Sequence, residues 1–556
     1  MKLPIGHSSF ATIIDEKYNY IDKTLFIKDI VNESSSVLLL PRPRRFGKTL
    51  NMSMLYYFFS KHANKSHLFD GLNISKETEI MAHATKYPVI FVSFKDVKQD
   101  SFEDAENKII SLVAELYREF TELKVSDKIT EEDKETFANI FFKKSSRDDL
   151  SESLCLLSKL LYQHHGVKPI LLIDEYDAPL HTAYQYGYYD KMVSLMQTML
   201  SSALKDNEYL GKAVLTGILK VAKESIFSGL NNLEVATILR ESYKQYFGFT
   251  EEEVISLLKK ADREDKLEEV RRWYNGYNFS GIQIYNPWSI LNYLKSNCLA
   301  TPYWVNTSSN QLIKDLMTKS TSYSFGEKFQ QLVLGNKVRL SLDENVVFRN
   351  LSEPGLQDGA IWSLLLFAGY LTMDNVDLSS GMAEGDAWIP NWEITTIYNN
   401  IFKEYLAKTV GSDYSNAAED LVKGRFDKFA RLIRLYLLEC ASYYDFTMES
   451  NYHCFVLGLL VVLKDRYYIR SNREYGVGRA DLVIVSKTTD EGMIIEFKAT
   501  KNSDNLEESA KEGLRQIVEH KYDLMIKDFP HVKRLTKACL AFSQKEVFHL
   551  SEIEML

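Results

Sequence analysis

Cysteine is scarce in this chain, with five in 556 residues (Cys155, Cys298, Cys440, Cys454 and Cys539), all far apart and without a C-x-x-C pair. Neither a disulfide framework nor a zinc site of the usual spacing follows from them, which leaves reduced thiols as the plain reading. No run approaches the roughly 18 uncharged apolar residues that a membrane span needs, so no membrane association is expected. Met1-Lys2-Leu3-Pro4-Ile5-Gly6-His7 has neither a long apolar core nor a small-residue cleavage site, so no signal peptide is expected and the cytoplasm is the default location. Internal repeats and low-complexity tracts are missing too. Positive charge is in deficit, 67 Lys and Arg against 76 Asp and Glu, for a formal net charge of −9. That argues against coating of nucleic acid by bulk electrostatics but does not exclude a local basic groove, because binding depends on where the charge sits.

What remains is an ordinary globular composition, 45% hydrophobic and 26% charged. The chain is too long for one core, so two or three domains are expected. Short apolar runs recur early: Val37-Leu38-Leu39-Leu40, Val89-Ile90-Phe91-Val92-Ser93-Phe94, Ile170-Leu171-Leu172-Ile173 and Ala213-Val214-Leu215-Thr216. Buried parallel strands read this way. Between them lie amphipathic stretches at 104–120 (Ile109, Leu112, Val113, Leu116) and 192–204. The pattern predicts an α/β nucleotide-binding domain over roughly the first 230 residues, with helices on both faces of the sheet. From about 242 to 438 the texture turns helical without strand runs, interrupted by Trp273-Tyr274-Asn275-Gly276-Tyr277-Asn278-Phe279 and Tyr285-Asn286-Pro287-Trp288. Strands return after about 446, with Ala480-Asp481-Leu482-Val483-Ile484-Val485 and Met493-Ile494-Ile495-Glu496-Phe497.

The first strand runs into Pro41-Arg42-Pro43-Arg44-Arg45-Phe46-Gly47-Lys48-Thr49 and then a helical stretch. A strand, a tight loop presenting backbone N–H groups, a lysine for the β/γ-phosphates and a hydroxyl for Mg²⁺ are the parts of a P-loop. Gly47-Lys48-Thr49 supplies the end of that pattern, while Arg42 takes the place of its first glycine. The third strand ends in Asp174-Glu175, with Asp174 placed for the Mg²⁺ shell and Glu175 for polarising an attacking water. Thr216, ending the fourth, is placed to sense the γ-phosphate. Arg44 and Arg45 are left to phosphate, a neighbouring subunit or solvent.

The block 42–49 resembles the variant Walker A of a large prokaryotic family of predicted AAA-type ATPases. Tyr20-Ile21-Asp22-Lys23-Thr24, Tyr87-Pro88-Val89-Ile90, Leu172-Ile173-Asp174-Glu175-Tyr176-Asp177, Thr216-Gly217-Ile218-Leu219 and Ala222-Lys223-Glu224-Ser225-Ile226-Phe227-Ser228-Gly229-Leu230-Asn231-Asn232 agree with it. The resemblance covers about the first 290 residues and implies a P-loop NTPase core. It makes Arg45, Phe46, Gly47, Lys48, Thr49, Asp174 and Thr216 the nucleotide contacts, with Thr49 and Asp174 on Mg²⁺ and Glu175 catalytic. It also makes Arg42 a family trait and implies a winged-helix-like lid after Phe247-Gly248-Phe249-Thr250.

Near the C-terminus, alternation places Glu496 and Lys498 on one strand face and turns Phe497 inward. If the strands at 480–485 and 493–497 pair as a hairpin, Asp481 and Glu496 converge beside Lys498. Two acids on Mg²⁺ (or Mn²⁺) and a lysine that orients the nucleophile suit phosphodiester hydrolysis. This constellation resembles the PD-(D/E)XK nuclease superfamily. By that resemblance Glu449 is an extra acid on the preceding helix and Gln516 the polar residue on the following one, so that Glu449, Asp481, Glu496, Lys498 and Gln516 form the catalytic set with Asp481 and Glu496 on the metal.

The expected partition is an ATPase core over 1–240, a helical lid and linker over 241–438 and a nuclease-like domain over 439–556. Its implied partners are ATP and DNA or RNA, and a homo-oligomer stays open. Against an ATP-regulated nuclease stand two other readings, a nucleotide switch that binds nucleic acid without cutting it and an ATPase that remodels a protein. The aromatic stretch 273–288 reads as core before base-stacking platform, Lys259-Lys260 and Arg271-Arg272 as solvated helix faces, and His164-His165, with no carboxylate at ligand spacing, as a helix end.

Overall fold

The computed structural model describes residues 1–219, 227, 232–304, 323–333, 335–345, 350, 357–379, 381–398, 414–440, 452, 456–457, 459–460, 463–475, 478–500, 503–520, 522–543 and 546–556. Glu449 and most of the block 222–232 lie outside them. The chain divides into two compact units, residues 1–320 with 339–394 and residues 321–338 with 395–556.

Each apolar run of the first unit is a strand: β1 (Val37–Pro41), β2 (Val89–Ser93), β3 (Ile170–Asp174) and β4 (Lys212–Gly217), joined by the short β5 (Leu233–Val235). They form one parallel sheet in the order β2-β3-β4-β1-β5. All five residues of β1 and of β3 are buried, because helices cover both faces, which is why these strands read as continuous apolar runs. The order sets β4 between the loop strand β1 and the acid strand β3. Helices Phe102–Arg118 and Tyr189–Leu204 occupy the two amphipathic stretches.

The expectation of a middle region without strands is corrected. Two small sheets lie there: β6 (Phe249–Thr250), β7 (Tyr277–Phe279) and β8 (Ile282–Tyr285) in the order β6-β8-β7, and β9 (Val338–Leu342), β10 (Thr372–Asp377) and β11 (Ala383–Trp388) in the order β10-β11-β9. They are short and only partly buried, with buried and half-buried residues alternating along Ala383–Trp388, so no apolar run announces them. Helices Glu251–Lys260, Leu267–Tyr274 and Pro287–Lys295 close a core of Val254, Leu257, Val270, Tyr274, Tyr285 and Tyr293. Tyr274, Tyr277, Phe279 and Tyr285 are all buried, so most of the aromatic stretch is core. Arg271 is not simply solvated, since it pairs with Glu251 and Glu268. Arg272 lies over the Trp392 ring, 3.1 Å from its centroid.

The second unit holds a mixed sheet, β12 (Tyr467–Tyr475), β13 (Gly478–Ser486), β14 (Glu491–Ala499), β15 (Arg534–Ser543) and β16 (Glu546–Met555), paired in chain order. β13 and β14 are an antiparallel hairpin, and β14 runs parallel to β15 across the connecting helix Leu506–Glu519. That helix covers the face carrying Val483, Val485, Ile494 and Cys539, through Ile517 and Ala510. The opposite face is covered too, with Tyr452 stacked on Phe542 at 4.2 Å and Phe497 fully buried beside it. Glu496 is therefore interior as well as Phe497 (2% and 0% exposed), where alternation alone had turned only Phe497 inward.

Gly513 sets how close the helix lies, because a Cβ there would stand 2.3 Å from Cys539 Sγ and 3.4 Å from Lys498 Cγ. Alanine is favoured over glycine in a helix by about 0.8–1.0 kcal/mol, but overpacking a filled core costs about 1–3 kcal/mol. Gly513→Ala is therefore expected to lower the melting temperature of the full chain, and in a double-mutant cycle Gly513→Ala with Cys539→Ala should cost less than the two separate losses added. A melting temperature raised by Gly513→Ala alone would contradict this packing.

Candidate functional site

β1 ends at Pro41, and Gly47, at φ 86°, turns the chain into helix Lys48–Phe59. Only glycine takes that left-handed conformation without cost. Arg42 has no such constraint: its N–H donates to Gly217 O at 2.9 Å, extending the β1–β4 ladder by one residue. Its guanidinium is fully buried, donating to Pro41 O (2.8 Å) and Ala236 O (2.6 Å) and lying over the rings of Phe247 and Phe279. Burial pulls its pKa down to about 9, which leaves it charged at neutral pH. Arg42 thus anchors the root of the loop, a role that no sequence signal distinguished.

Lys48 is 5% exposed and its Nζ donates to the carbonyls of Arg42 and Pro43, both at 3.0 Å. Burial lowers its pKa, and Glu175, Asp177 and Asp174 oppose that. The Asp174 carboxylate, fully buried, accepts from Thr49 Oγ1 (2.8 Å), Thr216 Oγ1 (2.8 Å) and Ser93 Oγ (3.3 Å). Burial raises its pKa above the ordinary 3.8, Glu175 adds to the rise, and the two threonines and Lys48 oppose it. Glu175 sits at φ 50°, a conformation that costs a non-glycine residue energy and recurs at functional sites. Asp177 accepts from the N–H groups of Ile218 (2.8 Å) and Leu219 (3.0 Å), fixing the turn after β4. Sequence reasoning gave it no role of its own.

These groups border a cavity of about 840 Å³ lined by Arg44, Arg45, Lys48, Thr49, Glu175 and Lys98 among others. Of the contacts expected from sequence, Arg45, Phe46, Gly47, Lys48 and Thr49 all line it, while Asp174 and Thr216 stand behind Thr49. The Phe46 ring itself is buried against Tyr277 (5.0 Å) and Phe279 (5.4 Å). Arg45 lies over the Trp288 ring, 4.4 Å from its centroid. Lys23 is tied to Glu253 (2.6 Å) and Gln245 O (2.7 Å), which accounts for a charged residue in the 20–24 block.

In the second unit, Leu482 pairs with Ile495 and Val483 with Ile494. One step further along an antiparallel pair, Asp481 comes opposite Glu496 on the same face, where Cβ atoms stand about 4.5–5.5 Å apart. Asp481 Oδ2 accepts from Phe497 N–H at 2.8 Å. Lys498 Nζ lies 3.6 Å from Glu496 Oε1 and donates to Gln516 Oε1 at 2.8 Å. Gln516 Nε2 in turn reaches the Tyr522 hydroxyl (3.4 Å), which His520 Nδ1 also approaches at 3.1 Å. Asp481, Glu496, Lys498 and Gln516 are thus brought together. His520 and Tyr522 extend the chain of contacts, and the Gln516–His520 spacing of one helical turn was a signal for the first of them.

Comparison with known proteins divides the chain in the same way. A family described as predicted AAA-ATPase matches residues 4–227, and the PD-(D/E)XK nuclease superfamily matches residues 447–552. The chain has an AAA-ATPase-like domain and a PD-(D/E)XK nuclease superfamily domain. It is also similar to an uncharacterized protein in the vnfD 5′ region of Azotobacter chroococcum mcd 1, 28% identical over 403 residues, which are 72% of this chain and 69% of that one. The ATPase-like match takes in the whole of β1–β4, and the nuclease superfamily match takes in Asp481, Glu496, Lys498 and Gln516. Among the described residues, no helix is long and apolar enough to cross a membrane.

The raised pKa of Asp174 has a measurable consequence. The folded carboxyl keeps its proton above the ordinary value of 3.8, where the unfolded one has lost it. The folded state then binds more protons, and stability falls as pH rises through that window. In the ligand-free protein, the melting temperature of Asp174→Asn relative to wild type is expected to climb as the pH rises above the ordinary carboxylate value of 3.8. A difference that stays constant with pH would contradict the raised value.

Proposed function

We propose that the chain binds ATP–Mg²⁺ in the ATPase-like domain and cleaves nucleic-acid phosphodiesters in the nuclease-like domain under nucleotide control. The observation that carries the reading is the hairpin register that sets Asp481 and Glu496 on one sheet face, with Lys498 held between Glu496 and Gln516. The partition that goes with it is an ATPase core over 1–240, a lid and linker over 241–438 and a nuclease-like region over 439–556.

The donor sets fit the groups they would hold. At the ATPase-like site Lys48 would meet the β/γ-phosphates with its positive charge, and the start of its helix would offer backbone N–H groups to the phosphate chain. Thr49 and Asp174, 2.8 Å apart, are the oxygen donors for Mg²⁺. Glu175 orients a water toward the γ-phosphate, and Thr216 reports on it through Asp174. At the nuclease-like site Asp481 and Glu496 would supply carboxylate oxygens to hold Mg²⁺ or Mn²⁺, which when bound would supply Lewis acidity toward the phosphodiester. Lys498 steadies the charge that grows as water bonds to phosphorus and the bond to the leaving oxygen breaks, the water's proton passing to bulk solvent and the leaving oxygen taking one from it.

Purified wild type and Lys498→Ala, incubated with DNA and RNA in Mg²⁺ or Mn²⁺ with and without ATP, test the reading. Cleavage by wild type that falls by about 10²–10³-fold in the variant, and that changes with ATP, is the expected outcome. Cleavage that the variant retains in full would remove Lys498 from the site. Intact substrate under every condition would favour the switch that binds without cutting.

A further inference from the structure

A second cluster lies on the ATPase-like domain, away from the residues that border the nucleotide cavity. Three segments distant in sequence meet there. His62 follows the end of helix Lys48–Phe59, Glu122 lies in the 3-10 turn Thr121–Val125, and His165 is the last residue of helix Arg147–His165. One ligand-capable atom from each falls within 4.8 Å of the others. His62 Nε2 is 2.7 Å from Glu122 Oε1, and His165 Nε2 is 3.8 Å from the same oxygen. His165 is a helix end, as the sequence implied, but the missing carboxylate arrives from Glu122, 43 residues earlier in the chain.

We propose that His62, Glu122 and His165 bind one divalent cation of the zinc class. Two imidazole nitrogens and one carboxylate are a favoured ligand set for Zn²⁺, at about 2.0–2.2 Å per bond. Around a tetrahedral ion of that size, neighbouring donor atoms stand about 3.3–3.4 Å apart. The observed 2.7 and 3.8 Å bracket this separation, so adjustments of roughly 0.4–0.7 Å bring both contacts to it. His165 Nε2 is buried and makes no hydrogen bond among the described residues, while its distance to Glu122 is too long for one. A buried acceptor left in this state costs stability, and a cation bridging it to Glu122 removes that cost. Burial, with His164 and Lys61 beside it, holds the His165 pKa near 4, so the ring offers a neutral lone pair.

The surroundings orient the ligands. The His62 ring stands edge-on to Phe120 (5.2 Å) and to His165 (5.4 Å), and His164 Nδ1 lies 2.9 Å from Ser126 Oγ. The His62 side chain is 33% exposed, which leaves a path for the ion and a position for water as fourth ligand. Lys61 places a positive charge nearby and works against binding, and Glu122 opposes it. The ion would pin the far end of the helix that starts at Lys48, about 18 Å from the phosphate-binding loop.

Zn²⁺ binding by the full-length, chelator-stripped protein, measured by equilibrium dialysis in excess Mg²⁺ to fill the oxygen-only sites, tests this. Wild type is expected to take up one more Zn²⁺ per chain than His62→Ala or His165→Ala, with Glu122→Gln weakened by about 10–100-fold. The His62 side chain is one-third exposed and outside the core, so its variant should keep the wild-type circular dichroism, and Zn²⁺ should raise the melting temperature of wild type but not of His62→Ala. Equal Zn²⁺ uptake by wild type and His62→Ala, or none by wild type in about tenfold excess, would overturn the assignment.

Discussion

The buried carboxylate of Asp174 is the interaction on which the ATPase-like domain turns. One side chain gathers hydroxyls from three other elements: Thr49 from the loop helix, Thr216 from β4 and Ser93 from β2. An ionised acid is expensive to bury unless its lone pairs are filled, and here the three hydroxyls fill them. The strand order makes this possible, because β4 lies between β1 and β3 and carries Thr216 to the side of Asp174. Lys48, equally buried, balances Asp174, Glu175 and Asp177. Folding this sheet therefore assembles the cluster, and substitutions in it act on stability.

The nuclease-like domain solves a related problem differently. Glu496 and Lys498 sit on a strand covered on both faces, so their charges are matched locally by one another and by Gln516 from the covering helix. Gly513 lets that helix approach closely enough for Gln516 to reach Lys498. Packing thus sets the distances on which the charge arrangement depends.

Much of this was legible in the sequence. The four apolar runs became β1 to β4 because a two-sided parallel sheet demands uninterrupted apolar residues. Two strong strands adjacent in sequence raised the hairpin as a condition for bringing Asp481 to Glu496, and the strands do pair that way. Illegible were the contacts made at long range by single side chains. Arg42 as a buried anchor, Asp177 beneath the turn after β4 and Glu122 beside His165 each depend on a partner far away in sequence, and no local period encodes that. The small middle sheets escaped because short strands with alternating burial carry no apolar run.

The most direct measurement is binding of ATP to the full chain, followed by calorimetry with and without Mg²⁺, in wild type and Lys48→Ala. Saturable, Mg²⁺-dependent binding in wild type that is lost in the variant is the predicted result. Wild type that binds no ATP, or Lys48→Ala that binds it equally well, would contradict the assignment of the cavity around Lys48 and Asp174 as a nucleotide site.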